Sequence, residues 1–146
     1  MTDTTLDFDL TAFLPYRLAI AAAKVSRAFS DHYTAEFGLT IPEWRVLAHL
    51  SKGGCVSVRD IHAVVDMDKP TISRAASRLG AAGLVTKVGQ QQDARLVGLS
   101  LTAAGRALMA RLIPMALAYQ AELLAGLGER AAGLDQGLRA VMEDRT

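Results

Sequence analysis

Cationic and hydroxyl side chains share one face of a helix predicted over residues 69–82. They are Lys69, Thr71, Ser73, Arg74, Ser77 and Arg78. Thr71, Arg74 and Arg78 follow the i, i+3, i+7 spacing that lines up side chains on a helix. Arginine can bind guanine O6 and N7 in a forked pair, and hydroxyls reach phosphates or base edges. The pattern indicates a surface that enters the major groove of DNA.

The opposite face of this predicted helix is apolar. It is formed by Ile72, Ala75, Ala76 and Leu79. This spacing predicts a stripe that packs inward, and the small alanines let the helix sit close to its support. For an isolated helix, solvated cations on an ordinary surface would be the better interpretation. The segment that follows favours DNA instead.

That segment reads as a β-hairpin, with strands over 84–88 and 96–101 and a flexible polar loop over 89–95. Lys87 and Arg95 lie on or near this hairpin, and an arginine at its tip can enter a narrow, electronegative minor groove. Asp93 would repel phosphate, so we expect it to orient an arginine, either Arg95 or Arg74. A simple turn aspartate explains Asp93 about equally well.

Helices must position this hairpin and the cationic face. Apolar spacing predicts one long helix over 10–37, ended by Gly38. Thr40 to Glu43 forms a capping box that opens a second helix, and Ser57 to Asp60 resembles another. A turn at 66–68 precedes the cationic helix. Thr102 caps a long helix that Pro114 should kink, and a last helix spans roughly 131–142. The predicted fold is mostly α-helical with a small β-hairpin wing, a winged helix-turn-helix.

The terminal helices carry more apolar residues than a winged module of about 60 residues can cover. Packing them against a second copy is the simplest solution. We therefore predict one domain over 1–146, with a winged module at about 39–102 and dimerisation helices at about 10–37 and 103–146.

Composition excludes several classes of protein. The net charge is only +1, but residues 45–111 hold ten Lys and Arg against four Asp and Glu, whereas the rest holds six against eleven. This asymmetry suggests one face for an anionic partner, although a chance split is the alternative. The start is acidic, unlike a signal peptide, and no apolar run approaches the ~20 residues of a membrane span. We expect a soluble cytoplasmic protein without membrane contact.

No enzyme or metal site is predicted, and no cofactor. The three histidines lack metal-ligand spacing, and no nucleophile motif is present. Cys55 is the single cysteine, which excludes an internal disulfide. A structural or incidental thiol is a better interpretation of Cys55 than a redox sensor, because no cationic residue is adjacent to lower its pKa.

The ordered set of motifs resembles the MarR family of transcriptional regulators. The matching stretches cover 39–47, 67–74, 78–85, 93–95 and 99–105, in the family's order and spacing. The resemblance implies a homodimer with two winged heads on a pseudo-palindromic double-stranded DNA operator. It matches Thr71, Ser73, Arg74 and Arg78 to the recognition helix and Arg95 to the wing tip. The alternative function is a winged-helix module that docks protein.

The resemblance also implies a small-molecule effector that releases the protein from DNA, with an aromatic acid or its thioester as the expected class. Five side chains on helices that could line the pocket are Tyr16, Arg17, Trp44, Arg45 and His49. Arginine pairs with a carboxylate, and an aromatic ring stacks on a ring. The alternative for each is ordinary packing or a dimer contact, and for Trp44 core packing is the better expectation.

Overall fold

In a computed structural model, the described residues of the protein form six α-helices and a small antiparallel sheet. The structure describes residues 4–90 and 93–143, and for residues 89, 90 and 93–97 it describes the backbone only. A 3-10 turn at Leu10–Ala12 comes first. The elements that follow are α1 (Leu14–Phe37), α2 (Ile41–Leu50), β1 (Val56–Ser57), α3 (Val58–Val64), α4 (Lys69–Ala81), β2 (Val85–Gln90), β3 (Asp93–Leu101), α5 (Ala103–Leu127) and α6 (Arg130–Met142).

Helices α2, α3 and α4 pack with the sheet into a head whose centre is fully buried. The strand order is β1-β3-β2, with Val56 opposite Leu99 and Val85 opposite Leu101. The core side chains of this head with almost no exposure are Val46, Leu47, Leu50, Ile61, Ile72, Leu79 and Leu99. Because every helix of the head contributes to one core, α4 is held along its buried side, and its other side is exposed.

The apolar stripe predicted for α4 is confirmed. Ile72, Ala75, Ala76 and Leu79 are each at most 3% exposed. Pro70 lies in the first turn of α4, where its missing N–H costs nothing. The alanines let α4 approach the rest of the head closely, so the longer side chains on its other face project outward.

The start of α5 is fastened to the end of α4 and the root of the hairpin. The Thr102 N–H donates to the Leu84 carbonyl (3.1 Å), and the Thr102 hydroxyl donates to the Gly83 carbonyl (2.6 Å). Gly83 has φ of +75°, a conformation that favours glycine. At Gly105 an added Cβ would collide with the Leu84 carbonyl oxygen. The root of the hairpin and the start of α5 are therefore held together by direct contacts.

Long helices α1, α5 and α6 extend from the head. Phe29 and Tyr33 of α1 and Met109 and Leu112 of α5 are buried where these helices meet the head. No described residue of α6 is buried. Helix α5 is also long and apolar enough to cross a membrane, by length and composition alone, with 11% of the tested window buried.

Three features of the chain differ from the sequence predictions. The helix predicted from Leu10 is interrupted at Phe13, which is extended, because Pro15 favours a new helix start. The loop predicted over 89–95 is wrong for the described backbone, since β2 reaches Gln90 and β3 begins at Asp93. Strand β1 was not predicted, and its two residues are too few for a pattern. Helix α5 runs continuously through Pro114, and the kink predicted there stays a prediction.

Candidate nucleic-acid interface

The cationic face of α4 is open to solvent. Lys69, Ser73, Arg74, Ser77 and Arg78 are exposed, and Thr71 is half-buried. We call these six residues the α4 face. The structure thus brings together all six side chains predicted on this helix, on the side opposite the buried stripe. A long, convex cationic surface of this kind has the dimensions that fit a major groove.

The capping of α4 organises its first turn. Asp68 is the N-cap, and its Oδ1 accepts from the Thr71 N–H at 2.7 Å. Hydrogen bonds from Thr71 hold the pKa of the Asp68 carboxyl below its ordinary value, and the charges of Arg74 and His62 act in the same direction. Asp68 is therefore an anion that stabilises the helix start beside an otherwise cationic surface.

Arg74 is already oriented along the α4 face. Its Nη2 donates to the Thr71 hydroxyl at 3.3 Å. No ion pair to Arg74 or Arg78 is present among the described side chains. Each guanidinium carries five N–H donors, a geometry that suits a phosphate or a base edge.

Helix α2 adds neighbours to the α4 face that the sequence analysis missed. Thr40 and Pro42, at the start of α2, line a cleft of about 280 Å³ together with Thr71, Arg74 and Arg78. These residues lie about thirty positions apart in the chain, so spacing gave no signal of their proximity. The start of α2 thus borders the cationic surface.

The hairpin beside α4 is the predicted wing. Lys87 is exposed on β2. The backbone of Asp93 and Arg95 belongs to β3, but their side chains lie outside the described residues. The expected orienting contact of Asp93 and the tip position of the Arg95 guanidinium therefore remain predictions.

The predicted effector residues fall into two groups. Tyr16 and Arg17 line an open groove of about 630 Å³ along the first half of α1, together with Lys24. Trp44, Arg45 and His49 lie on α2 and are half-buried. Trp44 packs edge-on against Phe29 of α1. At a helical rise of about 1.5 Å per residue, Phe29 lies roughly 20 Å along α1 from Tyr16. A single-ring aromatic acid is too short to contact both groups within a single chain.

Trp44, from the second group, belongs to an aromatic cluster between α1, α2 and α5. The ring centroid of Phe29 lies 5.0 Å from that of Tyr33, 5.3 Å from that of Trp44 and 5.3 Å from that of Tyr119. Burial raises the pKa of Tyr33 to about 12, against the influence of the Arg45 charge. Arg45 Nη2 donates to the Ser26 hydroxyl at 3.3 Å. Trp44 therefore packs against the core, as its alternative interpretation expected.

The single cysteine and the potential metal ligands were placed as follows by the fold. Cys55 is a free, exposed thiol whose sulfur lies against Gly98 of β3. Within residues 4–90 and 93–143 there is no group of three or more potential ligand side chains for a metal ion.

The fold and the α4 face together define a winged helix-turn-helix protein of the DNA-binding class. A MarR family model matches residues 37–96. A MarR family transcriptional regulator from Silicibacter pomeroyi DSS-3 is 34% identical, with 94% of this chain and 100% of that chain covered and a TM-score of 0.78. The comparison with curated proteins returned no match. The chain belongs to the MarR family of transcriptional regulators, which are DNA-binding proteins.

Two further solved structures share the fold. BpsR from Bordetella bronchiseptica, whose DNA binding is regulated by 6-hydroxynicotinic acid, is 23% identical, with 97% of this chain and 100% of that chain covered and a TM-score of 0.80. MarR from E. coli is 22% identical, with 90% of this chain and 98% of that chain covered and a TM-score of 0.73. These alignments extend over almost the whole chain, so the winged fold predicted from the sequence is confirmed.

Proposed function

We propose that this protein is a homodimeric repressor that occupies a pseudo-palindromic operator and leaves it when a small aromatic acid, or its thioester, binds. The observation that carries the proposal is the exposed α4 face, on a helix whose opposite side is buried in the core of the head. Family membership favours this function over a module that docks protein.

The α4 face supplies sequence recognition in this proposal. Arg74 and Arg78 reach guanine edges, and Lys69 and the hydroxyls of Thr71, Ser73 and Ser77 contact phosphates or further base edges. The cleft beside Thr40 brings the start of α2 close to the same DNA backbone. The buried stripe fixes the helix, so little conformational entropy is lost on binding.

The hairpin supplies a second contact. Lys87 is exposed on the wing, and Arg95 enters the adjacent minor groove, with Asp93 as its orienting partner. An arginine there benefits from the enhanced negative potential of narrow, A·T-rich grooves. This wing contact adds affinity and a preference for flanking sequence.

A second copy of the chain covers the long helices. Of the eighteen strongly exposed large apolar side chains among the described residues, sixteen lie within 6–25 or 113–142. A single chain that left this surface in water would lose the free energy of burying it, and a two-fold partner with the same surface buries both copies at once. Two α4 faces related by such an axis would meet half-sites about 34–36 Å apart on one side of a duplex.

The groove on α1 is the better candidate for the effector. Arg17 and Lys24 place two cations beside the apolar side chains of Leu14 and Ile20, with Tyr16 available for stacking. A carboxylate attached to an aromatic ring matches that combination. The ligand of BpsR is an acid of the same chemical type. Trp44, Arg45 and His49 remain a second candidate group at the aromatic cluster.

The test is a mobility shift with fragments from regions upstream of genes, at two salt concentrations. We expect a retarded band that weakens steeply with salt, because phosphate contacts release counterions. An aromatic acid such as salicylate or 6-hydroxynicotinate should then free the fragment. The proposal would be contradicted if no fragment were bound at low salt, or if added salt did not weaken the binding.

A further inference from the structure

A histidine side chain bridges α3 and the turn that precedes α4. The Nδ1 atom of His62, in the last turn of α3, lies 2.8 Å from the carbonyl oxygen of Met67. Met67 immediately precedes Asp68, the N-cap of α4. The contact therefore spans the turn between the two helices of the helix-turn-helix.

The chemistry of the contact fixes its direction. A backbone carbonyl only accepts hydrogen bonds, so the His62 ring carries its proton on Nδ1 and donates. The hydrogen bonds of α4 begin with the Ile72 N–H and the Asp68 carbonyl, at 3.1 Å. The Met67 carbonyl lies before this ladder, and the imidazole is the partner that ties it to α3.

Contacts continue from this turn into the α4 face. Asp68 Oδ1 accepts from the Thr71 N–H at 2.7 Å, and the Thr71 hydroxyl accepts from Arg74 at 3.3 Å. Both His62 and Arg74 lie close enough to Asp68 for their charges to act on its carboxyl. A short series of polar contacts thus connects the end of α3 to a proposed base-reading arginine.

We propose that His62 is a positioning residue that sets the geometry of the turn and the start of α4, and through them the placement of Arg74 on DNA. The inference rests on the proposed role of the α4 face. His62 is exposed, whereas Ile61 and Ile72 hold α3 against α4 with no exposed surface. Loss of the imidazole should therefore affect the turn more than the core.

A matched pair of variants tests the hydrogen bond. In His62→Asn the side-chain Nδ2 can replace Nδ1 as donor, whereas His62→Leu has a similar shape and no donor. The probes are a duplex selected from a random pool by the wild-type protein and a scrambled duplex of the same length. We expect His62→Leu to bind the selected duplex about fivefold more weakly, as loss of one net hydrogen bond implies. His62→Asn should remain within about twofold of wild type, and binding to the scrambled duplex should hardly change.

Several results would overturn the inference. They are equal binding by all three proteins, an equal loss in both variants, or a parallel loss on the scrambled duplex. If His62→Leu does not fold, the protonation of the ring nitrogens still decides: ¹⁵N NMR of the wild type should show a proton on Nδ1, and an unprotonated Nδ1 would refute the contact. A wild type that selects no duplex would instead refute the proposed role of α4, while the NMR measurement remained valid.

Discussion

At the scale of single residues, Arg74 carries the most specific claim. It is exposed, and its guanidinium is oriented by the Thr71 hydroxyl before any DNA is bound. Pre-orientation reduces the side-chain entropy lost when a base contact forms. Arg78 shares the same cleft and face, one turn further along α4.

Replacement of Arg74 should weaken operator binding selectively. We expect Arg74→Ala to cost about 1–3 kcal/mol on the selected duplex, because a forked contact to guanine is lost. Arg139→Ala is the control, since Arg139 is an exposed arginine on α6 and its removal changes the net charge equally. Titrations by fluorescence anisotropy measure both. Equal affinities for Arg74→Ala and the control would remove the base-reading role.

Asp68 should make the protein more sensitive to acid. Its pKa is lowered in the folded state, mainly by hydrogen bonds from Thr71, so its contribution to stability is present above the unfolded pKa of about 3.9 and is lost as pH falls through the folded value. Asp68→Asn keeps a capping oxygen but does not titrate. We expect the difference in unfolding temperature between wild type and variant to shrink between about pH 5 and pH 2. A difference that stayed constant with pH would contradict this origin.

The sequence predicted the α4 face completely but could predict only part of its surroundings. Periodicity places Arg74 and Arg78 on one side of a helix because that depends on local geometry alone. It cannot bring Thr40 beside Arg78, nor His62 beside Met67, because those contacts depend on how helices cross and on side-chain rotamers. Similarly, Tyr16 and Trp44 were predicted to line one pocket, but Tyr16 lies near the start of α1, whereas Trp44 on α2 packs against Phe29 in the second half of α1.

At the scale of elements, the close approach between α5 and the root of the wing couples the two parts of the chain. The Leu84 carbonyl accepts from Thr102 and fills the space that a side chain at position 105 would need. Movement of α5 would therefore be transmitted to the hairpin and to the end of α4.

A methyl group at position 105 should disturb this contact between α5 and the root of the wing. We expect Gly105→Ala to destabilise the fold by about 1–3 kcal/mol, as overpacking against fixed backbone does. The control is Gly80→Ala in α4, where an added Cβ meets nothing within 4 Å and helix propensity improves. Urea unfolding measures both variants. A Gly105→Ala protein as stable as wild type would show that α5 can shift away from Leu84 freely.

The sequence predicted most elements well because capping residues and apolar periodicity are local signals. The capping box of Thr40 and Glu43 is present in the structure, and α4 begins at Lys69 as predicted. The hairpin was harder, because its three consecutive glutamines suggest a loop, whereas cross-strand pairing extends both strands into that region. Strand pairing depends on a distant partner, which composition does not show.

At the scale of the whole molecule, helices α1, α5 and α6 leave a large apolar surface exposed in a single chain. Helix α5 is apolar over most of its length, and little of it is buried in one chain. The aligned regulator from Silicibacter pomeroyi covers 94% of this chain, so α5 belongs to the shared fold. A second copy is the proposed cover for this surface.

A charge placed on that surface should separate the two copies. We expect the wild type to elute and scatter light as a dimer, and Leu138→Glu to shift toward monomer, because a carboxylate is costly to bury in an apolar contact. Val64→Glu is the control, since Val64 is an exposed apolar residue on α3, outside the long helices. If both variants kept the mass of the wild type, α6 would not form the interface.

The most direct test of a dimer that presents two α4 faces to one duplex is to select DNA from a random pool and count the chains bound. The account predicts a site of two inverted half-sites centred one helical turn apart, about 10–10.5 base pairs, with two chains per duplex by light scattering. A single asymmetric site bound by one chain would contradict it.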